Sequence, residues 1–305
     1  MTASNHPPDE SQLRPAGRPP RGAHPDGHLD STAQLMNRIT SQLGSQLSLV
    51  SLNGTRRPEP PALVLVAHGS RDPRTLRTVR TLIERVRELR PHLSVRLGHI
   101  ELNEPLLPDT LASLDGKADA VLVPLLLSRG YHVKRDIPEM AAAAPRVRTR
   151  VAAPLGPHPL LVETLYARLV EAGWRTRMSD SARRASGVVL AAAGSRDPDA
   201  AVDTRRTAQL LAERLGVPVV PAYASAAAPT VPAALRALAA RGRHRIAVAS
   251  YFTAPGRFAT QCADAAPWIA ADPLGDHPAM ARLVLHRYDQ ALATPATTEP
   301  ELASV

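Results

Sequence analysis

The feature that most constrains the fold of this chain is an internal repeat. The segment Ala67–Pro73 (AHGSRDP) returns as Ala192–Pro198 (AAGSRDP), and Pro154–Pro159 (PLGPHP) returns as Pro273–Pro278 (PLGDHP). The first pair is offset by 125 positions, from 68 to 193, and the second by 119, from 158 to 277. Two matches in the same order at similar offsets indicate a duplicated unit. We therefore predict two similar domains, at 61–174 and 187–293, joined by a polar linker at 175–186.

Apolar runs and amphipathic stretches alternate within each half. The first half has two continuous apolar runs, Leu63–Ala67 and Ala120–Leu127, which are typical of strands buried on both faces. A further strand is predicted at Ser94–Leu102, where apolar and polar residues alternate. Leu76–Leu89 and Pro159–Ala172 have the spacing of helices that cover such strands. Strands that alternate with helices pair in parallel. The predicted fold class is α/β: two similar domains, each a parallel sheet flanked by helices.

Shorter patterns complete this picture. The sequence predicts helices at Leu106–Leu114 and Pro138–Ala144 and a strand at Val147–Ala153. Residues 1–60 are rich in proline and poor in apolar residues, which predicts a disordered N-terminal extension. A short amphipathic helix is predicted within it, and residues 294–305 are predicted to be a disordered tail. The apolar positions of that short helix are Leu35, Ile39, Leu43 and Leu47.

The amino-acid composition limits the kinds of molecule that the chain can bind and the kinds of metal site that it can form. It has 37 basic and 28 acidic residues, a net charge of +9, but only nine aromatic residues on which bases could stack. Because arginine pairs equally well with phosphates and carboxylates, charge alone does not decide between nucleic acid and a small polyanion. The single cysteine, Cys262, excludes an intramolecular disulfide, a thiolate zinc cage and a protein-held iron–sulfur cluster. No apolar run approaches the length of a membrane span or secretory signal, so we expect a cytoplasmic protein.

Three polar residues follow three predicted strands of the first half. His68 comes just after the first strand, Glu101 ends the second, and His132 lies shortly after the third. Ligands of open parallel sheets bind beyond the carboxyl ends of the strands. If these strands are neighbours, the two imidazoles and the carboxylate converge on one rim, where they form a suitable donor set for a divalent metal. We predict that these three residues are metal ligands.

The second half supplies an independent argument for this site. Alignment of the repeats places Ala193, Ser225 and Phe258 opposite the three polar residues, while the surrounding motifs are kept. Residues needed for folding are expected to persist in both halves, as His158 and His277 do. We therefore interpret these two histidines as structural residues near helix N-termini.

With these motifs in place, the sequence resembles the sirohydrochlorin chelatases, which are class II chelatases of siroheme and cobalamin biosynthesis. The resemblance covers most of 62–172, and 187–292 resembles the degenerate partner half of the two-domain form. The segments that carry it are Ala67–Arg71, Glu101–Pro105, Val123–Leu127 and Gly130–Pro138.

The resemblance implies a lyase that inserts Fe²⁺ or Co²⁺ into sirohydrochlorin, with its active-site cleft between the two domains. The metal-binding and catalytic histidines of the family carry over to His68 and His132, and its active-site glutamate to Glu101. It implies a tetrapyrrole and a divalent metal as substrates, no tightly bound cofactor, no nucleic acid and no membrane partner. The second half lacks the family's histidines and glutamate, so we do not expect a second active site there. The histidine-rich tract of some relatives is absent, which favours iron slightly over cobalt, and the two fused halves favour a monomer.

The substrate is a polycarboxylate, which suggests a use for the basic residues around the histidines, although each could also be ordinary solvated surface. The backbone N–H groups of the strand-to-helix turn could bind a carboxylate, and an aromatic ring could pack on the macrocycle. The predicted substrate-binding residues are Gly69, Ser70, Arg71, Arg129, Lys134, Arg135 and Phe258. Asp136 and Glu139 match a capping box, so we interpret Asp136 as a helix cap.

Two other functions fit part of this pattern. A non-catalytic carrier of metal or tetrapyrrole would use the same cleft and ligands. A histidine-dependent phosphatase is suggested by His68 and Gly69 after a strand, but the arginine expected directly before such a nucleophile is absent, and Glu101 would have no role.

Overall fold

The computed structural model describes residues 59–114 and 119–294. The predictions made for residues 1–58, including the short amphipathic helix, and for residues 295–305 lie outside the described residues. Within the described part, no helix combines the length and the apolar character needed to cross a membrane.

Both halves alternate strands with helices, as predicted. The first half contains β1 (Ala62–Ala67), α1 (Pro73–Leu89), β2 (Val95–His99), α2 (Leu107–Ala112), β3 (Ala120–Pro124), a π-helix (His132–Asp136) that runs into α3 (Ile137–Ala142), β4 (Thr149–Val151) and α4 (Pro159–Glu171). After α5 (Asp180–Ala185), the second half contains β5 (Ser186–Ala192), α6 (Pro198–Leu215), β6 (Val219–Tyr223), α7 (Val231–Ala239), β7 (Arg245–Tyr251), α8 (Arg257–Asp264), β8 (Ile269–Ala270) and α9 (Pro278–Ala293).

The two sheets have the same topology. Their strand orders are β2-β1-β3-β4 and β6-β5-β7-β8, and all pairs are parallel. Because β1 lies between β2 and β3, the strands that carry the three predicted ligands are neighbours, as the sequence argument required. The register pairs Ala67 with His99 in the first sheet and Ala192 with Tyr223 in the second.

The repeated motifs mark the starts of equivalent helices. Asp72 caps α1 by accepting a hydrogen bond from the Arg74 N–H, and Asp197 caps α6 in the same way. A proline occupies the first turn of each helix, where its missing N–H costs nothing. The repeated Ser-Arg-Asp-Pro segment is therefore a helix-start signal that both halves need for folding.

Successive side chains of the central strands point into two different cores. Leu63 and Leu65 of β1 belong to one continuous cluster that also contains residues of the second half, such as Val188 and Leu190. The intervening residue Val64 belongs to a smaller cluster of the first half alone. A strand buried on both faces needs apolar residues at every position, which explains the continuous apolar runs.

The closing helices of the two halves are exchanged. The sequence predicts that 159–172 completes the first half, but α4 packs against β7 and α6 of the second half. In turn, α9 packs against β3 and α1 of the first half. Periodicity shows which face of a helix is apolar but does not show which sheet that face covers, so the exchange had no signal in the sequence.

Element boundaries differ from the predictions in several places. The strands predicted at 94–102 and 120–127 end earlier, at His99 and Pro124. The predicted strand at 147–153 is reduced to β4, the predicted linker contains α5, and the helix predicted from Pro138 begins earlier as the π-helix. The residues of the π-helix are mostly polar and carry no apolar period, so the sequence pattern did not predict a helix before Pro138.

Candidate metal centre

The three predicted ligands lie at one edge of the first sheet. His68 follows the last residue of β1, Glu101 lies two residues after β2, and His132 begins the π-helix that follows β3. The backbone ties the first two together, because the Glu101 N–H donates to the carbonyl oxygen of His68 at 3.0 Å.

The side chain of His68 lies close to the side chains of both other residues. The Nδ1 atom of His68 is 3.6 Å from Oε1 of Glu101. The rings of His68 and His132 meet edge to face, with 4.7 Å between their centroids and 88° between their planes. All three side chains remain accessible, with exposed fractions of 41 %, 53 % and 38 % for His68, Glu101 and His132. Across residues 59–114 and 119–294, no three histidine, cysteine, aspartate or glutamate side chains already surround a common point as metal ligands would.

The close approach of these residues depends on Gly69. Its φ is +104°, and a Cβ atom built on it would lie 1.8 Å from the carbonyl oxygen of Glu101. Any other residue would push apart the two backbone segments that carry His68 and Glu101. Gly194 has the same conformation against Ser225 in the second half, so this contact belongs to the duplicated scaffold.

Asp136 is a member of the site and not a helix cap, which corrects the capping-box interpretation. Its side chain makes no capping hydrogen bond to α3. Instead, Oδ2 of Asp136 lies 2.5 Å from Nδ1 of His132. A carboxylate at Nδ1 keeps the proton on that nitrogen and leaves the lone pair of Nε2 for a metal or an incoming proton. The i, i+4 spacing from His132 could have signalled this pair in the sequence.

Asn103 is a residue to which the sequence argument gave no role. Its Oδ1 atom accepts the backbone N–H of Ser70 at 2.7 Å, and its own N–H donates to the carbonyl of Glu101. The Ser70 N–H is thus already satisfied, and its hydroxyl accepts the N–H of Asp72. The proposed use of the Ser70 N–H for a substrate carboxylate is therefore wrong, because these groups stabilise the turn itself.

The four predicted basic residues divide into two pairs. Arg129 forms a bidentate ion pair with Asp203 of α6, with a shortest distance of 2.7 Å. Lys134 contacts Asp197 at 2.7 Å and Asp199 at 2.9 Å at the start of the same helix. These two cations link the halves, so their charge is already compensated within the protein.

The other pair, Arg71 and Arg135, is exposed, and within the described residues neither side chain has an ion pair or a hydrogen bond. Each follows a predicted ligand histidine by three positions along the chain, and its guanidinium group is available to a ligand. Of the four basic residues predicted to bind substrate, these two retain the charge that the role requires.

The second half has the same backbone at this edge but different side chains. The Ser225 N–H donates to the Ala193 carbonyl at 3.0 Å, as Glu101 does to His68. The register also aligns Phe258 with His132, because Ser250 of β7 is equivalent to Pro124 of β3. Phe258 lies in the first turn of α8, and its side chain is 36 % exposed. The loss of all three polar residues on a conserved backbone is confirmed.

His158 and His277 are structural, as predicted. Each is the N-cap of the closing helix of its half, and its Nδ1 accepts a backbone N–H two residues later. Burial lowers the pKa of His158 to about 4, helped by the nearby Arg287 and His286. Burial also lowers the pKa of His277, with Arg168 as the next cause. Both rings are held neutral, which is the form that can accept the capping N–H.

Comparisons with known proteins also identify a duplicated unit. The CbiX family model matches residues 62–172 and again residues 187–291, which together are more than half of the chain. The chain belongs to the CbiX family. The two matched segments coincide with the two sheets and their helices, so this CbiX-family protein contains the family unit twice.

Curated relatives are sirohydrochlorin chelatases by name. A sirohydrochlorin ferrochelatase of Bacillus subtilis is 32 % identical over 178 residues, which are 55 % of this chain and 64 % of the relative. A sirohydrochlorin cobaltochelatase of Methanococcus aeolicus is 38 % identical over 81 residues, which are 26 % of this chain and 57 % of the relative. The chain therefore spans about three fifths of the length of these relatives.

Solved structures share the fold. SirB from Bacillus subtilis with Fe³⁺ superposes with a TM-score of 0.61 at 24 % identity, covering 76 % of this chain and 96 % of SirB. CbiX of denitrifying bacteria, described as the terminal enzyme of siroheme biosynthesis, gives 0.58 at 21 % identity and covers 76 % of this chain and all of that one. These matches confirm the predicted two-domain chelatase-like architecture.

Proposed function

We propose that this CbiX-family protein is a sirohydrochlorin chelatase that inserts Fe²⁺ or Co²⁺ into its substrate. The observation that carries the proposal is the assembly of His68, Glu101 and His132 at one sheet edge, in the one half that has them. Relatives named for iron and for cobalt both match the chain. The donor set does not discriminate between these neighbouring metals, because their affinities for nitrogen and oxygen ligands are similar.

The reaction replaces two pyrrole N–H protons with one divalent cation. The proposed roles follow from the chemistry of the groups: the metal arrives at His68, Glu101 and His132, and the two imidazoles accept the protons as the macrocycle takes up the metal. Histidine suits both roles because its ordinary pKa of about 6.5 lets it exchange protons near neutral pH. An open set of three ligands can also release the ion, unlike a closed structural site.

Substrate binding is proposed to involve both halves. Sirohydrochlorin carries several carboxylates, and Arg71 and Arg135, each three positions after a histidine, are the cations with unused charge. Phe258 takes the position equivalent to that of His132, where its exposed ring can pack on the flat macrocycle. Gly69 contributes the close backbone approach that shapes the turn.

Turnover assays with Fe²⁺ and Co²⁺ in parallel test the function. We expect His68→Ala and His132→Ala each to lower kcat by about two orders of magnitude or more, because each removes a ligand and a base. Glu101→Gln is expected to raise the KM for the metal more than the KM for sirohydrochlorin. His244→Ala, at an exposed histidine beside β7, is the control and retains full activity. Wild-type turnover by either ligand-site histidine variant would contradict the assignment.

The same assay separates an enzyme from a carrier. A carrier of metal or tetrapyrrole would bind both compounds and yet release no metallated product faster than the reaction without protein. Measuring product over many equivalents of substrate per protein molecule therefore decides between the two.

A further inference from the structure

The segment that carries His132 is held by side chains of the second half. We define the His132 segment as residues 127–134, which connect β3 to the π-helix and form its first turn. The Tyr251 hydroxyl donates to the carbonyl oxygen of Leu127 at 2.9 Å. The Asp203 carboxylate accepts the backbone N–H of Arg129 at 2.8 Å and pairs with its guanidinium group. Two backbone groups of a connecting loop thus find their partners in the other half of the molecule.

These anchoring groups are buried. Asp203 and Tyr251 are each 3 % exposed, and Thr207 between them is fully buried. The Thr207 hydroxyl lies 3.1 Å from the Tyr251 hydroxyl and donates to the backbone carbonyl of Asp203. A buried carboxylate is costly unless it is paired, and Asp203 is paired with Arg129 of the segment. The position of the segment is therefore strongly defined at this point.

A third contact lies beyond His132. Lys134 of the π-helix contacts Asp197 and Asp199 at the start of α6, so the second half holds the segment on both sides of the histidine. This contact is more exposed than the Asp203 pair and is expected to contribute less.

The anchoring residues have no counterparts in the first half. The register and the helix starts align Asp203 with Thr78, Thr207 with Leu82, and Tyr251 with Leu125. A contact that the duplicated scaffold itself requires recurs at equivalent positions, as the Gly69 and Gly194 contacts do within their own halves. In the opposite direction, the Thr75 hydroxyl of α1 donates to the carbonyl oxygen of Pro255, the equivalent of Arg129, at 2.6 Å. The buried carboxylate and phenol, by contrast, face the segment that bears a histidine and have apolar or neutral residues at the equivalent positions of the first half.

We infer that Asp203 and Tyr251 are positioning residues that hold the His132 segment in place for metal insertion. The inference rests on the proposed function for its kinetic part, but the placement of the ring can be measured without turnover. The half that lacks the ligands thus keeps the reactive half in its working geometry. Small displacements of a reacting group lower rates steeply, so loss of these anchors should act mainly on kcat.

The test compares Tyr251→Phe and Asp203→Asn with Asp289→Asn. Tyr251→Phe removes a single hydroxyl group, and Asp203→Asn removes the charge that pairs with Arg129. Asp289→Asn is the matched control, because Asp289 of α9 forms a bidentate ion pair with Arg90 that also joins the two halves, but away from His132.

Steady-state kinetics give the first readout. We expect both anchor variants to lower kcat by about tenfold or more, with the KM for sirohydrochlorin changed by less than about twofold. The control is expected to keep the wild-type kcat. Loss of thermal stability alone, with kcat unchanged in both anchor variants, would overturn the inference.

The second readout is the ring-proton signal of His132 in protein labelled at histidine, assigned by its absence from His132→Gln. We expect this signal to shift or broaden in both anchor variants and to stay unchanged in Asp289→Asn. An unchanged signal in Tyr251→Phe would overturn the inference even if Asp203→Asn failed to fold. If the wild type produced no metallated sirohydrochlorin, the proposed function would fail while the ring signal still decided the positioning role.

Discussion

At the scale of single residues, each histidine of the site lies beside a carboxylate of its own. Glu101 approaches Nδ1 of His68 at 3.6 Å, and Asp136 binds Nδ1 of His132 at 2.5 Å. The two carboxylates differ in exposure, at 53 % for Glu101 and 23 % for Asp136. The more exposed Glu101 is free to approach a metal, whereas Asp136 is occupied in fixing the orientation and tautomer of His132.

This difference predicts the effect of Asp136→Asn. The neutral amide binds the Nδ1–H of His132 less strongly than a carboxylate does, so the ring is oriented less firmly for the role proposed for it. We expect a loss of about 10- to 100-fold in kcat or metal affinity, with little change in the unfolding midpoint. Turnover and thermal unfolding measured on the same preparation check this.

Glu139→Gln is the control for that prediction. Glu139 lies in the first turn of α3 and is the other half of the supposed capping box, but it is exposed. If Asp136→Asn and Glu139→Gln affected turnover equally, Asp136 would have no special role toward His132.

At the scale of secondary-structure elements, the helix starts account for most of the retained repeat. Asp72 and Asp197 cap α1 and α6, and His158 and His277 cap α4 and α9. Capping by a neutral imidazole has a consequence that capping by a carboxylate lacks. A proton on Nδ1 abolishes the acceptor, so the cap is lost when the ring becomes charged.

The pH dependence of stability follows from the burial of these cap histidines, which lowers their pKa values. In the folded protein, the pKa of His158 is lowered to about 4, whereas in the unfolded chain it is near 6.5. Between these pH values His158 is protonated in the unfolded chain but not in the folded protein. The free energy of unfolding therefore falls as the pH falls below about 6.5. Because His158 is only partly buried, we expect a decrease of about 1 kcal/mol between pH 6.5 and 5 from this residue.

Urea unfolding at several pH values measures this decrease. His158→Asn is the matched variant, because asparagine is a good N-cap that does not titrate. It should retain the cap and show a smaller decrease in unfolding free energy over the same range. An identical pH dependence in the variant would show that the His158 cap is not responsible.

At the scale of the whole molecule, the two halves form one structural unit. A single apolar cluster contains residues of both sheets, and the exchanged helices α4 and α9 each pack against the sheet of the other half. Ion pairs such as Arg90 with Asp289 and Arg129 with Asp203 also join the halves. Neither half keeps a complete core without the other.

This arrangement predicts the behaviour of protein cut in the linker. A protease site placed between Arg175 and Arg177, both exposed, leaves every helix and strand intact. We expect the two fragments to stay associated in gel filtration and to unfold in one cooperative transition, because separating them would expose the shared core. Two independent fragments, each with its own unfolding transition, would contradict the exchange of helices.

Much of the fold was predictable from local patterns. The continuous apolar runs predicted the central strands because a parallel sheet covered on both faces needs apolar residues at every position. The repeat predicted two equivalent sheets, and the positions of His68, Glu101 and His132 after three strands predicted their convergence. Each of these inferences depends on sequence order and on a period that can be read along a single chain.

The partners of the side chains were decided by the tertiary structure alone. Whether Arg129 faces a substrate or Asp203 depends on a helix 74 residues away, and no local period encodes that distance. The exchange of α4 and α9 is likewise invisible in a pattern that reports only which helix face is apolar. Sequence by itself determined the elements, their duplication and the candidate ligand residues of one half. The three-dimensional packing decided which half holds which loop. Buried charges and hydroxyl groups must find partners, and those partners are whichever groups lie close in space, however far apart they are in the sequence.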